Sequence, residues 1–204
     1  MNHPKKTKST RGRPSRRPEI IAAAETLIRT RGLANATTRA IAEQAGCSEA
    51  ALYVHFDNRL ALLLAVLEES LPEMLLPLQA LEQSIGTHTP QQNLTKSLRA
   101  IFAFHQRVIP MLCGLFAEPR LLTAYRKSLT TRNKGPHGAI GRLQRYIADE
   151  QVLHRIDKNI DAEIAATMIM ASSFFKAFVS QFFGGSEPSA AVFKKLVAAA
   201  ISAN

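Results

Sequence analysis

The amino-acid sequence predicts an all-α fold, and three observations carry that prediction. Apolar residues recur at helical spacing from residue 18 onward, as at Ile20, Ala24 and Leu27. No alternating apolar and polar segment is bounded by hairpin turns. Proline and glycine interrupt the pattern where helices would end, as at Pro119 and residues 134–136. With 204 residues, 46% of them apolar, the chain is long enough to bury a core of its own.

The first 17 residues are strongly basic and are predicted to be a disordered arm. They carry seven Lys and Arg side chains and no acid, whereas the whole chain has a net charge of only +10. An arm of this kind suits a polyanion, either nucleic acid or an anionic membrane surface. A solubilising tail is the alternative that charge alone leaves open.

Four helices are predicted to follow the arm. The first begins at Pro18 and ends at Gly32, which can serve as a left-handed C-cap. Two short helices come next, at residues 38–45 and from 49 to 56. The fourth begins near Arg59, and Pro72 and Pro77 end or kink it.

The two short helices have the spacing of a helix-turn-helix. Thr37 can cap the first and Ser48 the second. Ala42 is small enough for the helices to touch, Gly46 allows the chain to turn, and Leu52 can dock the second helix. The motif spans residues 37–56.

Beyond Pro90 the pattern stays helical. One apolar stripe comprises Leu94, Leu98, Ile101, Phe102 and His105. Further helices are predicted at residues 109–116, 119–132, 137–151, 160–183 and 188–203.

The pattern from Thr37 to Leu62 resembles the TetR family of transcriptional regulators. It comprises Thr-Thr-x-x-Ile-Ala-x-x-Ala-Gly-x-Ser, then Leu-Tyr-x-His-Phe-x-x-basic-x-x-Leu. The resemblance extends in outline over residues 18–67. It implies a three-helix DNA-binding domain at residues 18–64 and a larger helical effector-binding and dimerisation domain at residues 65–204, with the arm at residues 1–17.

The resemblance also implies which side chains contact DNA. Thr37 and Thr38 would contact phosphate, residues 48–51 would open the recognition helix, and a basic residue, usually Lys, would bind phosphate at the start of the fourth helix. That residue is Arg59 here, whose planar fork can hold phosphate at two points. The predicted contacts are Thr37, Thr38, Arg39, Ser48, Glu49, Ala50, Ala51, Tyr53, His55 and Arg59.

The arm contains a second candidate DNA contact. Arg11-Gly12-Arg13-Pro14 resembles the core of an AT-hook, in which two arginines lie along a narrow A·T minor groove. Arg11 and Arg13 are therefore predicted DNA contacts. A nonspecific tether to phosphate is the alternative.

By the same resemblance, the helices before the last two enclose an effector pocket. Methionines and aromatic rings can line a cavity that adapts to apolar ligands, and few acids lie in these segments. The predicted effector is a small apolar molecule, neutral or weakly anionic, with His105 as a polar anchor. A packed core with a hydrogen-bonded His105 is the alternative. The predicted lining comprises Phe102, His105, Met111, Phe116 and Met168.

The last two predicted helices carry a candidate dimer interface. Met168, Ala171, Phe175, Phe178 and Phe182 follow one another at steps of three and four. The final helix has a face of smaller residues that allows close approach. By the family resemblance, these two helices would pair with those of a second subunit in a four-helix bundle. The alternative is a monomer core. The predicted interface comprises Ala171, Phe175, Phe178, Phe182, Val192 and Leu196.

The sequence predicts neither an enzyme nor a metal or cofactor site. It has no phosphate loop and no catalytic motif, and its six histidines and two cysteines lack ligand spacing. Its longest apolar run, residues 60–67, is too short to span a bilayer, so no membrane partner is expected.

The predicted function is that of a homodimeric repressor, located in the cytoplasm at the nucleoid. It would bind a near-palindromic operator in double-stranded DNA and be released by its effector. The alternative is an architectural or nucleoid-associated DNA-binding dimer without an effector.

Overall fold

The structure, a computed structural model, describes residues 15–70, 72–131 and 136–202, and these residues form helices without strands. The all-α prediction is confirmed. The predicted contacts Arg11 and Arg13 lie outside the described residues. The helices are α1 (Arg17–Arg31), α2 (Thr38–Gln44), α3 (Glu49–Tyr53), α4 (Arg59–Ser70), α5 (Pro72–Glu82), α6 (Pro90–Phe116), α7 (Pro119–Thr131), α8 (Pro136–Val152), α9 (Ala162–Phe183) and α10 (Ala190–Ile201).

Helices α1 to α4 share one hydrophobic core. Ile20, Leu27, Ile41, Leu52 and Leu62 are all buried in it. The same core takes in side chains from the C-terminal end of α6 and from α7, namely Met111, Leu115, Leu121 and Tyr125. The first four helices are therefore packed directly onto the α6–α7 corner.

Gly32 ends α1 in a different conformation from the one predicted. Its φ of 80° is positive, but its ψ of 158° is extended rather than left-handed helical. Its N–H still closes the helix on the carbonyl of Ile28, at 3.0 Å. The chain then continues through a 3-10 turn at Leu33–Asn35 to reach α2.

Helix α6 is continuous through Pro110, although the sequence predicts a separate helix at residues 109–116. A proline has no N–H for the carbonyl four residues earlier, which is that of Gln106. The side-chain amide of Gln181 on α9 donates to this carbonyl at 3.0 Å. A partner distant in sequence thus satisfies the backbone group that the proline leaves open.

The start of α6 is also stabilised, since Thr89 and Gln92 form a capping box.

A second hydrophobic core lies between α5, α6, α8, α9 and α10. It contains Leu98, Phe102, Tyr146, Ile169 and Phe193, all buried. Because α6 contributes to both cores, it connects the first four helices to the rest of the chain.

Helix α9 is long and apolar enough, by length and composition alone, to cross a membrane. One side of it is buried against neighbouring helices through residues such as Ala165, Ile169 and Ala177. A core helix passes the same test of length and composition. The other side is an exposed apolar face.

Candidate DNA interface and ligand cavity

The two helices of the helix-turn-helix begin at the predicted caps. The Thr37 hydroxyl accepts from the N–H of Ala40 at 3.2 Å, and the Ser48 hydroxyl accepts from the N–H of Ala51 at 3.1 Å. Each bond satisfies one N–H that the first turn of a helix leaves without a partner. The Thr38 hydroxyl also donates to the carboxylate of Glu49, which ties the first turn of α2 to the first turn of α3.

The turn between α2 and α3 depends on a glycine. Gly46 has a φ of 63°, which a residue with a Cβ adopts only under strain. The guanidinium of Arg16 donates to the Gly46 carbonyl at 2.8 Å, so the residue preceding α1 braces the turn. The Cys47 N–H closes back onto the carbonyl of Ala42 at 2.9 Å.

Helix α3 presents its predicted contact residues unequally. Ser48, Ala50 and Tyr53 are exposed, with 48% of the Tyr53 surface accessible. Val54, which is not among the predicted contacts, is 81% exposed beside them. Thr37 and Arg39 are exposed at the start of α2, whereas Thr38, Glu49, Ala51 and His55 are half-buried. The exposed residues form a small-residue and aromatic face that a DNA groove can accept.

Arg59 does not extend freely toward solvent, as a phosphate contact would. Its Nε donates to the Ala36 carbonyl at 3.1 Å, and its Nη2 donates to the Leu33 carbonyl at 2.8 Å. Nη1 and Nη2 also hold the two carboxylate oxygens of Glu118, each at 3.1 Å. This arrangement differs from the phosphate contact that the resemblance implies. Because Glu118 lies 59 residues from Arg59 in the sequence, residue spacing gives no sign that the two side chains pair.

An apolar cavity of about 350 Å³ lies between α4, α5, α6, α7, α8 and α9. Its lining residues are mostly aliphatic and aromatic, and His105, Tyr125 and Thr167 are the members with a nitrogen or hydroxyl in the side chain. The lining comprises Leu67, Met74, Phe104, His105, Val108, Leu112, Tyr125, Leu129, Ile140, Thr167, Met170, Ala171 and Phe174.

Of the five residues predicted to line an effector pocket, this cavity includes His105 alone. Phe102 is fully buried, with its ring edge-on to that of Phe193 at 5.4 Å, and Met111 is buried in the core of the first four helices. Phe116 and Met168 are exposed. The two predicted segments of α6 and α9 do contribute to the wall, but through neighbouring residues. Periodicity identifies the inward side of a helix without showing which part of that side meets a void.

His105 is the buried polar group of the cavity wall on α6. Its Nδ1 lies 2.9 Å from the hydroxyl of Ser173 on α9, and Phe174 packs edge-on to its ring at 5.5 Å. Burial lowers the pKa of His105 from 6.5 to about 4, because the charged form loses its hydration. The imidazole is therefore neutral near pH 7 and offers a hydrogen bond without a charge.

Comparison with known families identifies the helix-turn-helix region. The family described as bacterial regulatory proteins, tetR family, matches residues 20–66, which contain most of α1 and all of α2 and α3. Residues 20–66 therefore carry the N-terminal domain of the TetR family. No curated protein matches its sequence.

Solved structures show the TetR fold over nearly the whole chain. A protein from Mesorhizobium loti, described as a TetR-family transcriptional regulator, is 17% identical with a TM-score of 0.73, covering 93% of this chain and 96% of its own. FadR from Bacillus subtilis, in complex with stearoyl-CoA, is 18% identical with a TM-score of 0.66. The match covers 91% of this chain and 97% of FadR. SmeT, the repressor of the Stenotrophomonas maltophilia multidrug efflux pump SmeDEF, is 21% identical with a TM-score of 0.60, and the match covers 95% of this chain and 89% of SmeT.

The exposed side of α9 is a continuous apolar face. Phe175 is 63% exposed and Phe182 is 74% exposed, and Ile164 and Met168 extend the face toward the N-terminal end of the helix. The predicted interface residues Ala171 and Phe178 are exposed on the same face, whereas Val192 and Leu196 of α10 are half-buried. We refer below to Ile164, Met168, Ala171, Phe175, Phe178 and Phe182 as the α9 face.

The buried titratable groups outside the cavity have structural partners. Glu150 is fully buried, accepts from the N–H of Gly86 at 3.1 Å and pairs with Arg155 at 3.0 Å. Tyr146 lies beside it, accepts from the amide of Asn93 at 3.0 Å, and has its pKa raised to about 12, mainly by burial. These bonds fasten the α5–α6 loop to the end of α8. Among the described residues, no cluster of His, Cys, Asp and Glu could hold a metal ion.

Proposed function

We propose that this TetR-family chain is a transcriptional repressor that binds a near-palindromic operator as a homodimer and leaves it when a small apolar effector binds. The exposed face of α3, capped by Ser48 and carrying Ala50 and Tyr53, is the observation that carries the proposal. Two such helices in a dimer would enter successive major grooves about 34 Å apart.

The second copy is proposed to cover the α9 face. An uninterrupted apolar face at helical spacing favours association, since exposed contiguous apolar surface is uncommon on a monomer. The two-fold symmetry of such a dimer would make the operator near-palindromic.

The cavity supports the effector part of the proposal. Its volume of about 350 Å³ lies toward the lower end of the range for ligand pockets, about 300–1,000 Å³. Its apolar wall and the neutral His105 favour a small apolar ligand with one hydrogen-bonding group. The stearoyl-CoA complex of FadR, a protein of similar fold, is consistent with a ligand that has an apolar part.

Selection of genomic DNA fragments by the purified protein tests the proposed function. We expect recovered fragments to share a near-palindromic sequence upstream of a gene, and compounds that raise the melting temperature of the protein to release them. Binding with little sequence preference and no release by any such compound would favour the architectural alternative.

Replacement of Tyr53 tests the placement of α3 on DNA. We expect Tyr53→Ala to weaken binding to a selected fragment about tenfold, because an exposed aromatic contact at an interface contributes on the order of 1–2 kcal/mol. The DNA affinity of Tyr53→Phe, which keeps the ring, should lie between those of the wild type and Tyr53→Ala. Affinity is measured by fluorescence anisotropy, with circular dichroism as the control for folding. Wild-type affinity in Tyr53→Ala would remove this face of α3 from the interface.

The basic arm is tested by a deletion that spares Arg16. Removing residues 1–14 takes away Lys5, Lys6, Lys8, Arg11 and Arg13 but keeps the bond between Arg16 and the Gly46 carbonyl. Each neutralised phosphate contributes about 0.9 to the slope of log K against log salt, so we expect the slope to fall by up to about 4.5. A full-length variant with these five residues changed to Gln should behave like the deletion. Equal slopes for the wild type and both variants would assign the arm no role on DNA.

A further inference from the structure

Arg59 connects three separate parts of the chain. Its guanidinium holds the carbonyls of Leu33 and Ala36, which lie just before the Thr37 cap of α2, and the carboxylate of Glu118, which lies between α6 and α7. Within the described residues, these bonds use four of its five N–H donors. Arg59 and Glu118 are each 32% exposed, so the pair is partly shielded from solvent. An arginine so occupied has little capacity left for a phosphate.

Backbone packing reinforces the same junction. Gly114 on α6 lies so close to Leu33 that a Cβ added at Gly114 would be 2.6 Å from the Leu33 Cβ. This distance is shorter than Cβ contacts permit, so only glycine allows the approach. The end of α6 and the turn before α2 are therefore held together by close packing as well as by charge.

The junction is continuous with the cavity wall. His105, Val108 and Leu112 of α6 line the cavity, and Gly114 follows Val108 by about 9 Å along the helix axis. Tyr125 of α7 lines the cavity and is also buried in the core of the first four helices. The Arg59–Glu118 pair and the cavity therefore lie against the same two helices, α6 and α7.

We propose that Arg59 is a positioning residue rather than a phosphate ligand. Together with Glu118 and the Gly114–Leu33 contact, it fixes the start of α2 on the α6–α7 corner. The effect on DNA binding rests on the proposed function, whereas the positioning of α2 does not.

Variants of both partners distinguish positioning from phosphate binding. We expect Arg59→Ala, Arg59→Lys and Glu118→Ala each to weaken binding to a selected DNA fragment about three- to tenfold, and the double alanine variant to be no weaker than Arg59→Ala. Arg59→Lys does not restore DNA binding, because a single ammonium cannot hold two carbonyls and both carboxylate oxygens. The salt slope of Arg59→Ala stays that of the wild type. A slope lowered by about 0.9, rescue by Arg59→Lys, and normal affinity in Glu118→Ala would together overturn the proposal in favour of a phosphate contact.

Amide hydrogen exchange tests the positioning without DNA. We expect Glu118→Gln and Gly114→Ala to speed exchange about fivefold or more at residues 36–41, with exchange in α8 unchanged. Gly141→Ala is the matched control, since Gly141 also lies within a helix and an added Cβ would meet nothing within 4 Å. Wild-type exchange at residues 36–41 in both test variants would overturn the proposal whether or not the protein proves to be a repressor.

Discussion

Replacing Phe175 and Phe182 together by Glu is expected to convert the protein to monomers and to weaken operator binding about a hundredfold or more. Two carboxylates would enter a dry contact between copies, where each would lose its hydration without gaining a partner. A monomer binds each half-site separately and loses the effective concentration that a dimer provides, a factor of about 10² to 10⁴. Sedimentation velocity measures the first effect and fluorescence anisotropy the second.

The folded monomer should tolerate this change. Both phenylalanines are exposed in the single chain, at 63% and 74%, so the glutamates would meet water before association. The matched control is Leu76→Glu with Ala103→Glu, which adds the same charge at exposed positions of α5 and α6. We expect the control to remain dimeric with wild-type affinity. A wild type that sediments as a monomer at micromolar concentration would refute the proposed interface.

Val108→Phe is expected to abolish ligand binding in the cavity. Val108 is buried on α6 with its side chain on the cavity wall, so a phenyl ring there would occupy space that a ligand needs. With 1-anilinonaphthalene-8-sulfonate as the apolar probe, we expect the dissociation constant to rise about a hundredfold, which corresponds to about 2.8 kcal/mol. Compounds that displace the probe from the wild type should release DNA from the wild type and not from Val108→Phe.

The control for the cavity is Ala103→Phe, which adds a ring to the exposed side of the same helix. It should bind the probe as the wild type does. Because the new ring of Val108→Phe can enter an existing void, we expect its melting temperature to stay close to that of the wild type. Undiminished probe binding in a folded Val108→Phe would place the ligand site elsewhere.

The helix-turn-helix could be predicted from sequence because local bonds define it. The Thr37 and Ser48 caps each act on an N–H three residues later, and the Gly46 turn needs only a positive φ at one position. Interactions of this range are encoded by neighbouring residues. The family resemblance rests on the same short stretch, and the family match confirms it.

The α9 face was also visible in the sequence, as phenylalanines at steps of three and four. Spacing alone left open whether that stripe was buried in the monomer. Packing decided it, since α6, α8 and α10 contact α9 through other residues and leave Phe175 and Phe182 exposed.

The sequence by itself determined the all-α architecture, the caps and turn of the DNA-binding motif, and the apolar faces of the longer helices. Tertiary structure alone decided how those faces are used. Met111 packs in the core of the first four helices rather than on the cavity wall. Gln181 donates to the backbone carbonyl that Pro110 leaves without a partner, and Arg59 pairs with Glu118. The reason is distance along the chain: helical periodicity and capping act over three or four residues, whereas these partners lie up to 75 residues apart and meet only once the helices have packed.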